Sequence, residues 1–182
     1  ILQLTVEEII NTGFIFKIPD YQRGYRWGET EVKDLLTDIN EIKDPEKTIE
    51  ILSGKGIIEK YCLQPVVFDT CEESNNYMIV VDGQQRLTTL YLIISYVSKI
   101  ISKYKEKLED RFREENIDEK IISKLFKTFE TLYSLEYVNE ERENIFKNVK
   151  QNLDIINKDN IDAYYISTAY SYIKNWATDQ TK

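Results

Sequence analysis

The run Tyr77-Met78-Ile79-Val80-Val81-Asp82-Gly83-Gln84-Gln85-Arg86-Leu87-Thr88-Thr89-Leu90 changes period in its middle. Tyr77 to Val81 is an apolar run ending in the β-branched Ile79, Val80 and Val81, which reads as a buried strand. Gly83 allows a tight turn. From near Gln84, the residues Leu87, Leu90, Tyr91, Ile94, Val97 and Ile101 recur at helical spacing and predict a helix with one apolar face. A helix start presents unpaired backbone N–H groups and a partial positive charge. Phosphate binds there readily when the backbone can come close, which glycine permits. Arg86 in the first turn adds a charged fork, and Thr88 and Thr89 add hydroxyls. Asp82, at the strand end, is placed to hold a divalent cation that bridges phosphate oxygens. Gln84 and Gln85 are suited to contact phosphate or to position a water. The same residues also fit a plain strand-to-helix turn with Asp82 as the cap. No GKS or GKT follows, so this is not a Walker loop.

Upstream, Tyr61 to Phe68 reads as a further strand, and the polar stretch Asp69 to Asn76 predicts a hairpin with Tyr77–Val81. Nearer the start, Thr5-Val6-Glu7-Glu8 has the pattern of a capping box for a short helix that stops at Gly13. Phe14 to Ile18 predicts a strand closed by Pro19. Pro19 to Gly28 reads as a loop. Val32, Leu35, Leu36, Ile39 and Ile42 predict a helix over 29–42, and residues 43–56 a polar connection. Lys99 to Lys120 is helical in composition, and helices are expected over 118–133, 140–157 and 160–177, with no strong strand signal. Strands in the first half and helices in the second argue for an α+β fold, a small mixed sheet followed by a mainly helical half, rather than a doubly wound parallel sheet. The expected division is a sheet-bearing core over 1–100 and a helical extension over 101–182 packed on it.

The chain has 182 residues, the size of one domain, and can bury about 70% of its unfolded surface. There are 24 basic and 32 acidic residues, a net charge of −8. Such a field repels nucleic acid, so any contact with DNA must be a local patch. Histidine is absent, which excludes every histidine-dependent mechanism within these residues. Cys62 and Cys71 lack CxxC spacing and read as reduced thiols, the expectation for a cytoplasmic protein. No apolar run reaches membrane-spanning length and no signal peptide is visible. The chain begins at Ile1, so a longer parent protein is expected.

Six arginines occur, Arg23, Arg26, Arg86, Arg111, Arg113 and Arg142. Three of them fall in Tyr21-Gln22-Arg23-Gly24-Tyr25-Arg26-Trp27 and Asp82-Gly83-Gln84-Gln85-Arg86. Arginine is the preferred planar partner of phosphate, so two arginine-bearing polar loops in an acidic protein invite an anion. Tyr21, Tyr25 and Trp27 are suited to stack on a base, and Arg23 to reach phosphate; aromatics after a strand also commonly close a core. Tyr164, Tyr165, Tyr172, Ile173 and Trp176 recur at helical spacing and read as core. Glu140-Glu141-Arg142-Glu143 reads as a solvated face.

Taken together, these segments resemble the N-terminal domain of GmrSD-type restriction endonucleases. The run Ile18-Pro19-Asp20-Tyr21-Gln22-Arg23-Gly24-Tyr25-Arg26-Trp27, with Leu35, Asp38 and Ile39, resembles the family's opening motif. Tyr61 to Val67 resembles its middle strand, and Val81 to Leu90 its DGQQR signature. Ser134 to Tyr137 with Arg142, and Ile161 to Tyr165 with Trp176, resemble weaker downstream features. The resemblance spans nearly the whole chain. It implies a ParB- and sulfiredoxin-like core and nucleoside triphosphate binding and hydrolysis in bacterial or archaeal anti-phage defence. It also implies a separate HNH-type nuclease domain, which needs histidine and is therefore not within these residues.

The residues carried over are Asp82, Gly83, Gln84, Gln85 and Arg86, with Gln22 and Arg23. Arg23 and Arg86 would hold phosphates with the amides of 83–86. Asp82 would bind Mg²⁺, with Asp38 a weaker metal candidate. Gln84 or Gln85 would orient the attacking water, and Tyr21, Tyr25 or Trp27 would shape the base site. No strong base is evident, so slow turnover or pure sensing is open. The alternative is a non-catalytic DNA- or partner-binding module, with DNA reached through the nuclease domain or a local patch. A homo-oligomer is also open. A sulfiredoxin-like redox reaction is disfavoured, because neither cysteine lies in the phosphate-loop segment.

Overall fold

β1 (Ile15–Ile18) is an inner strand of the sheet, with Phe16 and Ile18 fully buried on one face while Ile15 and Lys17 are only partly covered. The computed structural model of the chain describes residues 5–41, 65–70, 76–130, 134–152 and 155–179. β2 (Val67–Thr70), β3 (Tyr77–Asp82) and β4 (Ser134–Tyr137) complete a four-stranded sheet in the order β2-β3-β1-β4. β3 and β4 both run parallel to β1, with Phe16 beside Met78 on one side and Leu135 on the other. β2 runs antiparallel to β3, as the hairpin reading expects. This is an α+β mixed sheet. The expected strand over 61–68 is seen only from Val67. Residues 61–64, the connection over 43–56 and both cysteines lie outside the described residues.

β4 was not foreseen: it lies in the half read as mainly helical, where no strong strand signal stands out. It is four residues long and alternates buried Leu135 and Tyr137 with Ser134 and Glu136. So short a run is fixed by pairing with β1, which is remote in sequence, and not by its own propensity.

Helices cover the sheet. α1 (Val6–Asn11) is closed by the expected box: the Thr5 hydroxyl accepts from the Glu8 amide, and the Glu8 carboxylate accepts from the Thr5 amide. α2 (Glu29–Glu41) buries Val32, Leu35 and Leu36. α3 (Gln84–Glu114) starts directly after β3 and bends at Tyr104, where φ is −118° and ψ is 18°. It runs straight through residue 100, where the core and the extension were expected to divide. α4 (Glu119–Glu130) reaches the edge of the described residues, with 131–133 of its expected range outside them, α5 (Glu140–Gln151) ends before its expected limit, and α6 (Ile161–Asp179) follows.

The main core joins Phe16, Ile18 and Val80 of the sheet to Leu87 and Leu92 of α3, Phe146 of α5 and Ile166 and Tyr170 of α6. A second cluster, Ile101, Ile117, Ile122 and Phe126, fastens α4 to the far part of α3. The strand ends carrying Ile18 and Asp82 therefore lie side by side, and so do the segments that leave them.

Candidate functional site

Three glutamines stitch the 19–28 loop to the β3–α3 junction. The Gln22 amide donates to the carbonyls of Val80 at 2.7 Å and Val81 at 2.9 Å. Gln84 Nε2 donates to the Arg23 carbonyl at 2.6 Å. Gln85 Nε2 donates to the Gly24 carbonyl at 3.0 Å, while its Oε1 accepts from the amides of Arg26 at 2.7 Å and Trp27 at 3.2 Å. A primary amide carries donors and an acceptor in one plane, which is what an irregular backbone needs from a single partner. Gln85 is thus fully engaged in holding the loop. The Oε1 of Gln84, in contrast, is buried with no hydrogen-bond partner.

Gly83 caps α3 with φ at 84°, a conformation that disfavours any side chain. A Cβ there would also come within 3.0 Å of Val66 Cα and Cγ2. The glycine is therefore required by the turn, as expected, and also by close packing against the segment leading into β2. No side chain caps α3, and no acidic residue occupies its first turn. The first-turn amides of Gln84 and Gln85 have no intrahelical acceptor. Asp82 is exposed, and its Oδ1 accepts from the Gly83 amide at 2.7 Å.

Loop and junction flank an open cavity of about 490 Å³. It gathers Tyr21, Gln22, Arg23 and Trp27 from the loop with Asp82 through Arg86 from the junction, and Pro65 and Val81 at its edge. Arg86 Nη1 donates to the Pro65 carbonyl at 3.1 Å, and its guanidinium lies 5.9 Å from the Trp27 ring centre. Arg23 is exposed, and Tyr21 is 76% exposed. Two guanidinium groups and one carboxylate make this cavity locally cationic in an acidic chain.

Four expected site residues are not there. Tyr25 is fully buried, and its hydroxyl meets Thr89 Oγ1 at 2.8 Å, which itself bonds to the Gln85 carbonyl at 2.9 Å. Burial pushes the Tyr25 phenol well above its usual range, against a smaller opposing pull from Thr89. Thr88 is equally buried, beside Tyr137, whose phenol burial raises to about 12 while the Thr88 hydroxyl works the other way. These residues fasten α3 beneath the loop and do not line the cavity. Asp38 sits exposed on α2, because Val32, Leu35 and Leu36 turn the opposite face inward. Among the described residues, no three Asp, Glu, Cys or His side chains gather as a metal cluster.

Sequence reasoning missed what lies under the loop. Arg26 Nη1 bonds to Asp162 Oδ1 and also donates to the Tyr25 carbonyl at 2.6 Å. Arg142 Nε lies 3.7 Å from Asp162 Oδ2, and its Nη1 donates to the Gln22 carbonyl. Asp162 is 8% exposed. The scarcity of arginine was the available signal for Arg26 and Arg142; Asp162 had none beyond its place in a weak downstream feature.

A second cavity, of about 440 Å³, lies where α5 leads into α6 and is lined by Val149, Ile155, Ile156 and Lys158, among others. It has neither an arginine nor a helix start facing it, so the first cavity is the candidate site.

The fold and site define an α+β domain in which a post-strand loop and a helix start share one cationic pocket. The chain belongs to the family described as GmrSD restriction endonuclease, N-terminal domain, whose family model matches residues 5–181. No curated protein matches the chain. Membership makes the chain part of a restriction system. Among the described residues, no helix is long and apolar enough to cross a membrane.

Proposed function

We propose that this chain is the nucleotide-binding regulatory domain of its restriction system, taking a nucleoside triphosphate in the pocket between the 19–28 loop and the start of α3. The observation that carries this reading is the convergence of Arg23, Arg86 and the uncapped first turn of α3 on one cavity of about 490 Å³, within the range of small-molecule sites. Arg86 and Arg23 bind the phosphate chain, and the amides of Gln84 and Gln85 accept its charge. Trp27 and Tyr21 flank the pocket on the loop side and stack on the base.

Mg²⁺ fits this donor set in one way. It usually takes one or two carboxylates and completes its shell with substrate phosphates and water, so Asp82 alone suffices as the protein ligand. When bound, the ion neutralises charge on the phosphates. Gln84 is the better of the two glutamines for orienting a water, since the other is occupied by the loop. With no strong base among the described residues that line the pocket, hydrolysis is slow, and occupancy itself serves as the regulatory signal to the partner nuclease and its DNA.

Calorimetric titration of the chain with GTP, ATP, CTP and UTP, with and without Mg²⁺ and beside Arg86→Ala, tests this. Saturable binding that the variant loses is the expected result. A folded protein that binds none of the four overturns it. The high exposure of Tyr21 favours a second reading, a non-catalytic platform for DNA bases. Binding to a single-stranded oligonucleotide that weakens steeply with salt would select it.

A further inference from the structure

The Asp162 carboxylate sits in the first turn of α6, its backbone fixed by Asn160, whose Oδ1 accepts from the Asp162 amide at 2.8 Å. The start of a helix favours a negative charge there. Two arginines from different elements converge on this one group: Arg26 from the loop and Arg142 from α5. A carboxylate that only joined α5 to α6 would need neither the loop nor a second cation. Here both arginines also bond loop backbone, Arg142 at the Gln22 carbonyl and Arg26 at the Tyr25 carbonyl. Gly24, between them, lies so close to the carboxylate that a Cβ would collide with both of its oxygens. The underside of residues 22–26 is therefore moulded on Asp162, while the glutamines hold the same segment from the α3 side.

We propose that Asp162 is the positioning residue of the pocket: by holding Arg26 and Arg142 beneath the loop it sets the geometry of Gln22, Arg23 and Trp27, and it links pocket occupancy to the packing of α5 and α6. The affinity half of this proposal rests on the nucleotide reading; the loop half does not. Because coupling free energies are reciprocal, whatever changes the α5–α6 contact changes ligand affinity, and a bound ligand steadies that contact. This gives the helical half a way to sense the pocket and report it to a neighbouring domain.

The test compares the parent chain with Asp162→Asn and Gly24→Ala. The second variant displaces the carboxylate without removing its charge and keeps the test open if the first does not fold. Amide exchange is measured without ligand, and affinity is measured with whichever of Mg²⁺-loaded GTP, ATP, CTP or UTP binds the parent best. Exchange at Arg23–Trp27 is expected to accelerate roughly tenfold or more in both variants, with the interior of α3 at Leu87–Ile94 changed by less than about twofold. Affinity is expected to fall roughly tenfold. Loop exchange within about twofold of the parent in a folded variant, or equal acceleration throughout the protein, overturns the proposal. A parent that binds none of the four nucleotides overturns the nucleotide reading and the affinity half together, and the exchange arm still decides the loop half.

Discussion

Replacing Gln85 with alanine removes the amide that clamps the loop. Its side chain makes three hydrogen bonds, from Nε2 to the Gly24 carbonyl and to Oε1 from the amides of Arg26 and Trp27. At about 1 kcal/mol net each, their loss amounts to about 3 kcal/mol. The Gly24 carbonyl is left in a buried position, which keeps water from replacing the lost donor. For a protein of this size, that corresponds to a drop in Tm of about 6–12 °C. Gln85→Glu keeps the acceptor for the two amides but sets a carboxylate oxygen against the Gly24 carbonyl, so it falls between parent and alanine variant. Thermal unfolding followed by circular dichroism at neutral pH reads both values. A drop below about 2 °C for the alanine variant would show that the loop does not depend on this clamp.

Arg86→Ala is expected to weaken nucleotide binding roughly tenfold or more while moving Tm by only a few degrees, since the guanidinium is partly exposed at the edge of the cavity. Calorimetry and melting on the same sample check it. Gly83→Ala faces both a left-handed φ of 84° and contact with Val66 at 3.0 Å. A loss of about 2–3 kcal/mol is expected, measured by urea unfolding. The phenols of Tyr25, Tyr91 and Tyr137 are all raised by burial. Their contribution is fully present below pH 10, the unfolded value, and is lost as pH rises towards the folded values, at about 1.4 kcal/mol per pH unit for each of the deeply buried Tyr25 and Tyr137. Melts between pH 9 and 11.5 should steepen above about pH 10, and Tyr25→Phe should flatten the slope; an unchanged slope in that variant would contradict the assignment.

The β3–α3 junction was legible because two periods meet at a glycine within a few residues, and both periods come from the burial of one face. The capping box at Thr5 was legible for the same local reason. β4 was not. Ser134 to Tyr137 is too short for its alternation to stand out, and its stability comes from pairing with β1. In the site, composition pointed to Arg23 and Arg86, and the geometry gathers them. It could not separate Trp27 from Tyr25, since both follow the same strand. Tyr25 turns inward to Thr89, whereas Trp27 lies beside Arg86. Nor could it show that Gln84 and Gln85, adjacent in sequence, have different tasks. That depends on where the carbonyls and amides of a loop some 60 residues away fall. Asp162 was hidden because its partners lie on two other elements.

The most direct measurement is an amide-exchange footprint of the parent chain with and without a saturating Mg²⁺-nucleoside triphosphate. Protection concentrated at Gln84–Arg86 and along Tyr21–Trp27, with weaker protection near Asp162, is the predicted result. Protection elsewhere with these segments unchanged, as at the cavity beside Ile155 and Ile156, would contradict the placement of the site.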